Sequence, residues 1–229
     1  MLSLKKWSCV IGTALLSDID EFTIGCMNRK NMENETINER FLGTIFGQAV
    51  GDALGLSTEF MSKQEVDRFY PNGIEDYSQI VQDDHRRRWQ RGDWTDDTDM
   101  MLCILDSFVA CQKVDFLDIA RRFKEWMMNG GMGIGRHTYN VMALGDYTSN
   151  PQKAAEIIRK MGKKKAAANG AVMRTSVVGL MKDNVANNVA GAILGAKFGI
   201  CHIPDEWKDG LLHASMLHNK VHNLYAMLR

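Results

Sequence analysis

Four aspartates crowd into Gly92-Asp93-Trp94-Thr95-Asp96-Asp97-Thr98-Asp99-Met100, and two kinds of chemistry suit such a run. Thr95 can cap a helix that starts there, with acids in the first turn matching the positive end of the helix dipole. One carboxylate would satisfy that role. Asp96 and Asp97 are adjacent and repel each other, and a hard dication held through carboxylate and hydroxyl oxygens would offset the repulsion. On residue types alone both readings stand: capping with solvated acids, or a metal at Thr95, Asp96 and Asp97.

Three further blocks could carry chemistry. In Gly47-x-x-x-Gly51-Asp52-x-x-Gly55-x-x-x-Glu59-Phe60, Asp52 and Glu59 either sit at the polar edge of a glycine-packed helix, or Glu59 is a positioned acid or base just past the helix end. The run Gly130-Gly131-Met132-Gly133-Ile134-Gly135-Arg136-His137-Thr138 is no dinucleotide fingerprint, because a helix precedes it and Arg136 interrupts it. Its bare amides could still cradle a pyrophosphate. Asn169-Gly170-Ala171-Val172-Met173-Arg174 is a tight turn that presents an arginine. His218 and His222, four apart, lack a third ligand and read as a solvated helix face. Arg86, Arg87 and Arg88 beside Trp89, and the lysines at 163–165, read as exposed loop charge.

The elements that must position these blocks are helical in period. A helix over about residues 39–56 places Leu42, Ile45, Phe46, Ala49 and Ala53 on one face, and Gly43, Gly47, Gly51 and Gly55 on another stripe. Since each glycine costs a helix roughly 1 kcal/mol against alanine, the stripe predicts close approach of another backbone. A helix from Thr95 carries Met100, Met101, Ile104, Leu105 and Phe108 inward. Asp115 caps the next, with Phe116, Ile119, Ala120, Phe123 and Trp126 on its apolar face. Asn150-Pro151 opens another that Gly162 closes. Residues 185–198 repeat the glycine spacing at Gly191, Gly195 and Gly199, and residues 205–228 read as one last helix burying Trp207, Leu211, Val221, Leu224 and Leu228. No alternating run is convincing, so the expected class is all-α.

In this order the four blocks resemble the ADP-ribosylglycohydrolase family, whose pattern runs from GxxxGDxxGxxxEF through GDWTDDTxM and a glycine loop to NGAxMR. The residues 190–199 and Ile203-Pro204-Asp205-Glu206-Trp207 look like the family's C-terminal helix and the turn after it. The likeness spans about residues 39–228. It implies a compact orthogonal all-α bundle, two bound Mg²⁺ or Mn²⁺ ions, and hydrolysis of N- or O-glycosidic bonds to ADP-ribose. It further implies metal ligation by Thr95, Asp96, Asp97 and Asp183, and catalytic roles for Glu59 and Asp97. Contacts to substrate would come from Asp52, Gly131, Gly133, Gly135, Thr138, Asn169, Gly170 and Arg174.

The departures from the family pattern are as informative. The family's long middle segment with its THxxP-type motif is missing, since Gly179-Leu180-Met181 runs almost directly toward the C-terminal helix. Where GGDxDTN should supply two aspartates and a threonine, an ungapped match gives Lys182, Asn184 and Val185, and a one-residue gap keeps Asp183 alone. The expectation is therefore a single, weakly held ion, a bundle lacking part of the middle helices with the deletion near residues 180–183, and self-association through the surface so exposed. A binding module that holds ADP-ribose or metal without turnover is the alternative, as is a broken product that does neither.

Composition bounds the rest. Lys+Arg and Asp+Glu both count 28 in 229 residues, so no net field draws the chain to nucleic acid or to an anionic membrane. Five cysteines without CxxC spacing read as reduced thiols of a cytoplasmic protein. Lys5, Lys6 and the interrupted apolar run behind them make a poor secretory leader. Residues 1–37 read as a poorly specified extension, with one helical domain over 38–229. No run approaches the roughly 20 apolar residues of a membrane span.

Overall fold

The computed structural model describes residues 31–162, 170, 172–180 and 199–228 (without the side chains of 31–37 and 179). The described residues form nine α-helices and three short 3₁₀ turns, with no strand, in agreement with the all-α expectation. The helices are α1 (Asn31–Gly55), α2 (Lys63–Phe69), α3 (Asp96–Cys111), α4 (Phe116–Met128), α5 (Arg136–Ala143), α6 (Pro151–Met161), α7 (Ser176–Leu180), α8 (Asp205–Asp209) and α9 (Ala214–Leu228).

Two helices make the centre. α1 buries Phe41, Ile45, Phe46, Ala49, Val50 and Ala53 and packs against α3, α7 and α9. α3 buries Met100, Met101, Ile104, Leu105 and Phe108, each such side chain worth about 1.5–3 kcal/mol on leaving water. α4 packs against α3, and α9 packs against both α1 and α3, closing the core with Leu217, Val221 and Leu224. The predicted starts and stops hold where a local cap encodes them. Thr95 caps α3, Asp115 accepts the N–H groups of Leu117 and Asp118 at the head of α4, and Asn150, ahead of Pro151, accepts the Lys153 N–H at the head of α6, which ends at Gly162.

Other expectations are corrected. α1 is already helical at Asn31, well before the expected start near Glu39. The glycine stripe is split: Gly43 and Gly47 are buried, whereas Gly51 and Gly55 are exposed, and a Cβ on Gly55 would meet nothing within 4 Å. Phe116 is 64% exposed and Leu228 41%, so neither belongs to the core. The last helix is broken into α8 and α9, because Leu212 donates its N–H to the Gly92 carbonyl (2.9 Å) instead of to its own helix. That crossing demands bare backbone on both sides. Gly92 has φ +82, and a Cβ there would lie 2.3 Å from the Gly210 carbonyl oxygen. The joint ties the C-terminal segment to the loop just before the aspartate run. The helix expected over 185–198 lies outside the described residues.

Candidate functional site

The start of α3 is held from below. Asp52, in the last turn of α1, places both carboxylate oxygens under it. Thr95 donates its N–H to Oδ2 (3.0 Å) and its hydroxyl to Oδ1 (2.8 Å); Thr98 donates its N–H (3.1 Å) and hydroxyl (2.8 Å) to Oδ2. Thr95 is the N-cap, as expected, its oxygen accepting the Asp97 N–H at a long 3.5 Å, and Asp52 adds a second acceptor from below. Burial pushes the Asp52 carboxyl above its usual range, against the pull of these four hydrogen bonds.

The aspartates of the run divide in two. Asp99 is clamped by indoles, accepting from Trp94 Nε1 and from Trp126 Nε1, both at 2.8 Å. Asp93 accepts the N–H of Trp94 (3.0 Å) and stands 3.7 Å from His213. Asp96 has only its own backbone N–H on its carboxylate, and Asp97 has no such partner among the described residues. Burial, then the charge of Asp52, lifts Asp96 to about 6 and Asp97 to about 7; Glu59 pushes the same way and Arg174 opposes. Capping therefore does not account for the inner pair. Two carboxylates that resist ionisation beside a hydroxyl oxygen are the hard donor set a divalent cation takes. Thr95, Asp96 and Asp97 fit one side of such a site, although no group of three acidic, histidine or cysteine side chains gathers around a metal position among the described residues. Asp183, the remaining expected ligand, lies outside them.

Glu59 stands just past α1, in a turn that Arg86 organises. The Arg86 side chain is 2% exposed. Its Nε reaches the carbonyls of Leu56 (3.0 Å) and Ser57 (2.9 Å), and its other nitrogens reach the Glu59 carbonyl and the Asp83 carboxylate. The reading of residues 86–88 as exposed charge is thus wrong for Arg86 and right for Arg87, which pairs in solvent with Asp84. The difference is tertiary: three carbonyls freed by the end of α1 need a donor, and only one of the arginines reaches them.

The glycine loop closes over the acids. Gly133 has φ +88, and a Cβ there would sit 2.6 Å from Asp96 Oδ1; one on Gly131 would enter the Trp126 ring at 2.4 Å. Gly135 precedes α5 with open space around it. Thr138 is buried on α5, its hydroxyl 2.9 Å from where a Cβ on Gly170 would lie. Arg174 donates to the Met100 thioether (3.0 Å) and lies over the Phe123 ring at 5.1 Å. Burial lowers its pKa, while Tyr147, Asp96 and Asp97 favour its charge. A thioether is a weak acceptor, so this guanidinium keeps donors for an anion. A cavity of about 480 Å³ opens beside it, lined among others by Phe123, His137, Thr138, Tyr147, Gly170 and Arg174, within the range of small-molecule sites. Asn169 lies outside the described residues.

Sequence reasoning missed Gln48. Its amide donates to the carbonyls of Asp97 (3.1 Å) and Met173 (2.9 Å) and accepts from the Ser176 hydroxyl. It thereby joins the head of α3 to the arginine turn. A glutamine among the alanines and phenylalanine of a buried helix face was the available signal. His218 and His222 are exposed, as expected.

The site is that of an all-helical protein holding an open acid pair, a nearby carboxylate and a buried arginine around one helix start. A sequence model of the ADP-ribosylglycohydrolase family matches residues 33–189, and the chain belongs to that family. It is 35% identical over 111 residues to the ADP-ribosyl-[dinitrogen reductase] glycohydrolase of Rhodospirillum rubrum, covering 45% of this chain and 34% of that one. It is 29% identical over 103 residues to the ADP-ribosylarginine hydrolase Tri1 of Pseudomonas putida (strain GB-1), covering 45% and 25%. The chain thus matches well under half the length of these relatives. A solved ADP-ribosylglycohydrolase-related protein complex superposes with a TM-score of 0.53 at 18% identity, covering 85% of this chain and 100% of the other; at that identity the likeness is one of fold. No described helix is long and apolar enough to cross a membrane.

Proposed function

We propose that this chain is an ADP-ribosyl hydrolase acting on ADP-ribosylated protein or small molecules in the cytoplasm. The observation that carries the reading is the inner acid pair, lifted toward neutrality, left without side-chain donors among the described residues and near Glu59 and Arg174. Thr95, Asp96 and Asp97 would hold one Mg²⁺ or Mn²⁺, which supplies Lewis-acid stabilisation of the reacting oxygens. Glu59 positions the attacking water and accepts its proton. Arg174, with the bare amides around Gly133 and Gly170, receives the diphosphate. Asp52 fixes the head of α3, so the acids keep their places.

The test is release of ADP-ribose from ADP-ribosylarginine and from an ADP-ribosylated protein with Mg²⁺ or Mn²⁺, using Asp96→Asn/Asp97→Asn as the blank. Because metal charge stabilisation is worth several kcal/mol, loss of the second ligand set predicts turnover roughly a hundredfold or more below an intact relative. Lys182, Asn184 and Val185, standing where that set would be, favour a second reading as an ADP-ribose-binding module. Calorimetric ADP-ribose binding without release would select it. The shortened segment also implies self-association, checked by light scattering and ANS binding; a monomeric, dye-silent protein would oppose it.

A further inference from the structure

The Glu59 carboxylate is itself held. His85 Nε2 lies 2.8 Å from Glu59 Oε2, and His85 Nδ1 meets Nη2 of Arg88. A guanidinium only donates, so Nδ1 must accept, the imidazole proton must reside on Nε2, and that N–H must be given to Glu59. The hydrogen-bond partners therefore assign the tautomer. The ring is also boxed in. Phe60 stands edge-on at 5.1 Å and Trp89 at 5.4 Å, while Arg88 Nε caps the His85 carbonyl (3.0 Å) and its guanidinium lies 4.7 Å from the Trp89 ring. Phe60 is 84% exposed and adopts φ +60, an unfavourable backbone for an aromatic residue that delivers its ring to the imidazole. Among the described residues Oε1 of Glu59 accepts no hydrogen bond, so one oxygen is fixed and the other is open.

We propose that His85 is a positioning residue for Glu59, oriented in its Nε2–H tautomer by Arg88, so that Oε1 faces the reacting water as a pre-aimed acceptor. This rests on the hydrolase reading of Glu59. It also gives residues 83–89 one purpose: Arg86 holds the backbone of the Glu59 turn, and His85 holds its side chain.

Two measurements on the full chain test it. Long-range ¹H–¹⁵N NMR with labelled histidine, His85 being assigned by its loss in His85→Gln, is expected to show the Nε2–H tautomer in the wild type. Arg88→Leu leaves the Nε2–H form favoured by the Glu59 carboxylate but frees the ring, and should lower kcat by a smaller factor than His85→Ala. In hydrolysis of ADP-ribosylarginine, His85→Ala should lower kcat about 10- to 100-fold, the usual effect of removing an orienting partner, with KM little changed. His85→Gln, which can still donate to Glu59, should recover most of that loss. An Nδ1–H tautomer in the wild type or an unchanged kcat in His85→Ala would each overturn the proposal. A wild type without turnover counts against the hydrolase reading, and the tautomer then decides the positioning alone.

Discussion

Asp97 and Asp99 are two residues apart on one helix and live under opposite conditions. Asp99 is half-buried beside the glycine loop, where two indole N–H groups meet its oxygens. Asp97, with Asp96, faces the mouth of the site, where its neighbours are Asp52 and Glu59 and the countercharge is the more distant Arg174. A folded protein rarely leaves buried carboxylates without donors. Where one pair is satisfied and the adjoining pair is not, on the same turn, the unsatisfied pair marks the place where a ligand completes the structure.

The comparison breaks most sharply if the open pair proves dispensable. Asp96→Asn/Asp97→Asn should abolish divalent-ion binding in calorimetric titration, and lower any turnover by about a thousandfold, in line with several kcal/mol of metal stabilisation. The wild type should show one weak site for Mg²⁺ or Mn²⁺. Two tight sites would contradict the reading of Lys182 and Val185.

Asp52→Ala removes the floor instead of the mouth. Four donors from Thr95 and Thr98 lose their acceptor, and at about 1–3 kcal/mol per buried unsatisfied group, discounted for water entry, the loss should be on the order of 3 kcal/mol. Chemical denaturation would read it, and a change under about 1 kcal/mol would show that α3 caps itself.

A pH series sharpens the contrast. Asp96 and Asp97 titrate near 6 and 7 in the fold and near 3.8 when unfolded, so between these values the folded chain holds protons the unfolded chain has released. Metal-free stability from this pair is therefore greatest at low pH and falls as pH rises through about 6 to 7. Relative to Asp96→Asn/Asp97→Asn, the wild type should lose on the order of 2–3 kcal/mol between pH 5 and pH 8. Divalent affinity should run the other way, rising over the same interval because the ligands must be deprotonated. Parallel stability curves for the two proteins would mean that the pair is not repelled.

The smallest effect belongs to the clamp. Trp126→Phe keeps the ring against Gly131 and deletes one N–H to Asp99, which should cost about 1 kcal/mol in thermal or chemical unfolding. It should leave ion binding unaltered. A large loss of ion binding would show that the two aspartate pairs act together.

What the sequence determined alone was whatever is written within one helical turn. Thr95, Asp115, Asn150-Pro151 and Gly162 mark helix ends because a cap needs only neighbouring backbone, and residues 100–108 reveal a buried face because their period is local. The four ordered blocks were enough to show the family. Tertiary structure decided the rest. Asp52 caps a helix 43 residues away, and Arg86 rather than Arg87 fills the end of α1. Gly92 breaks the last helix by taking the Leu212 N–H, and two indoles separate Asp99 from Asp97. In each case a polar group was satisfied by a partner remote in sequence, and a polar residue's type says what it can bond, never which distant group will come within 3 Å of it.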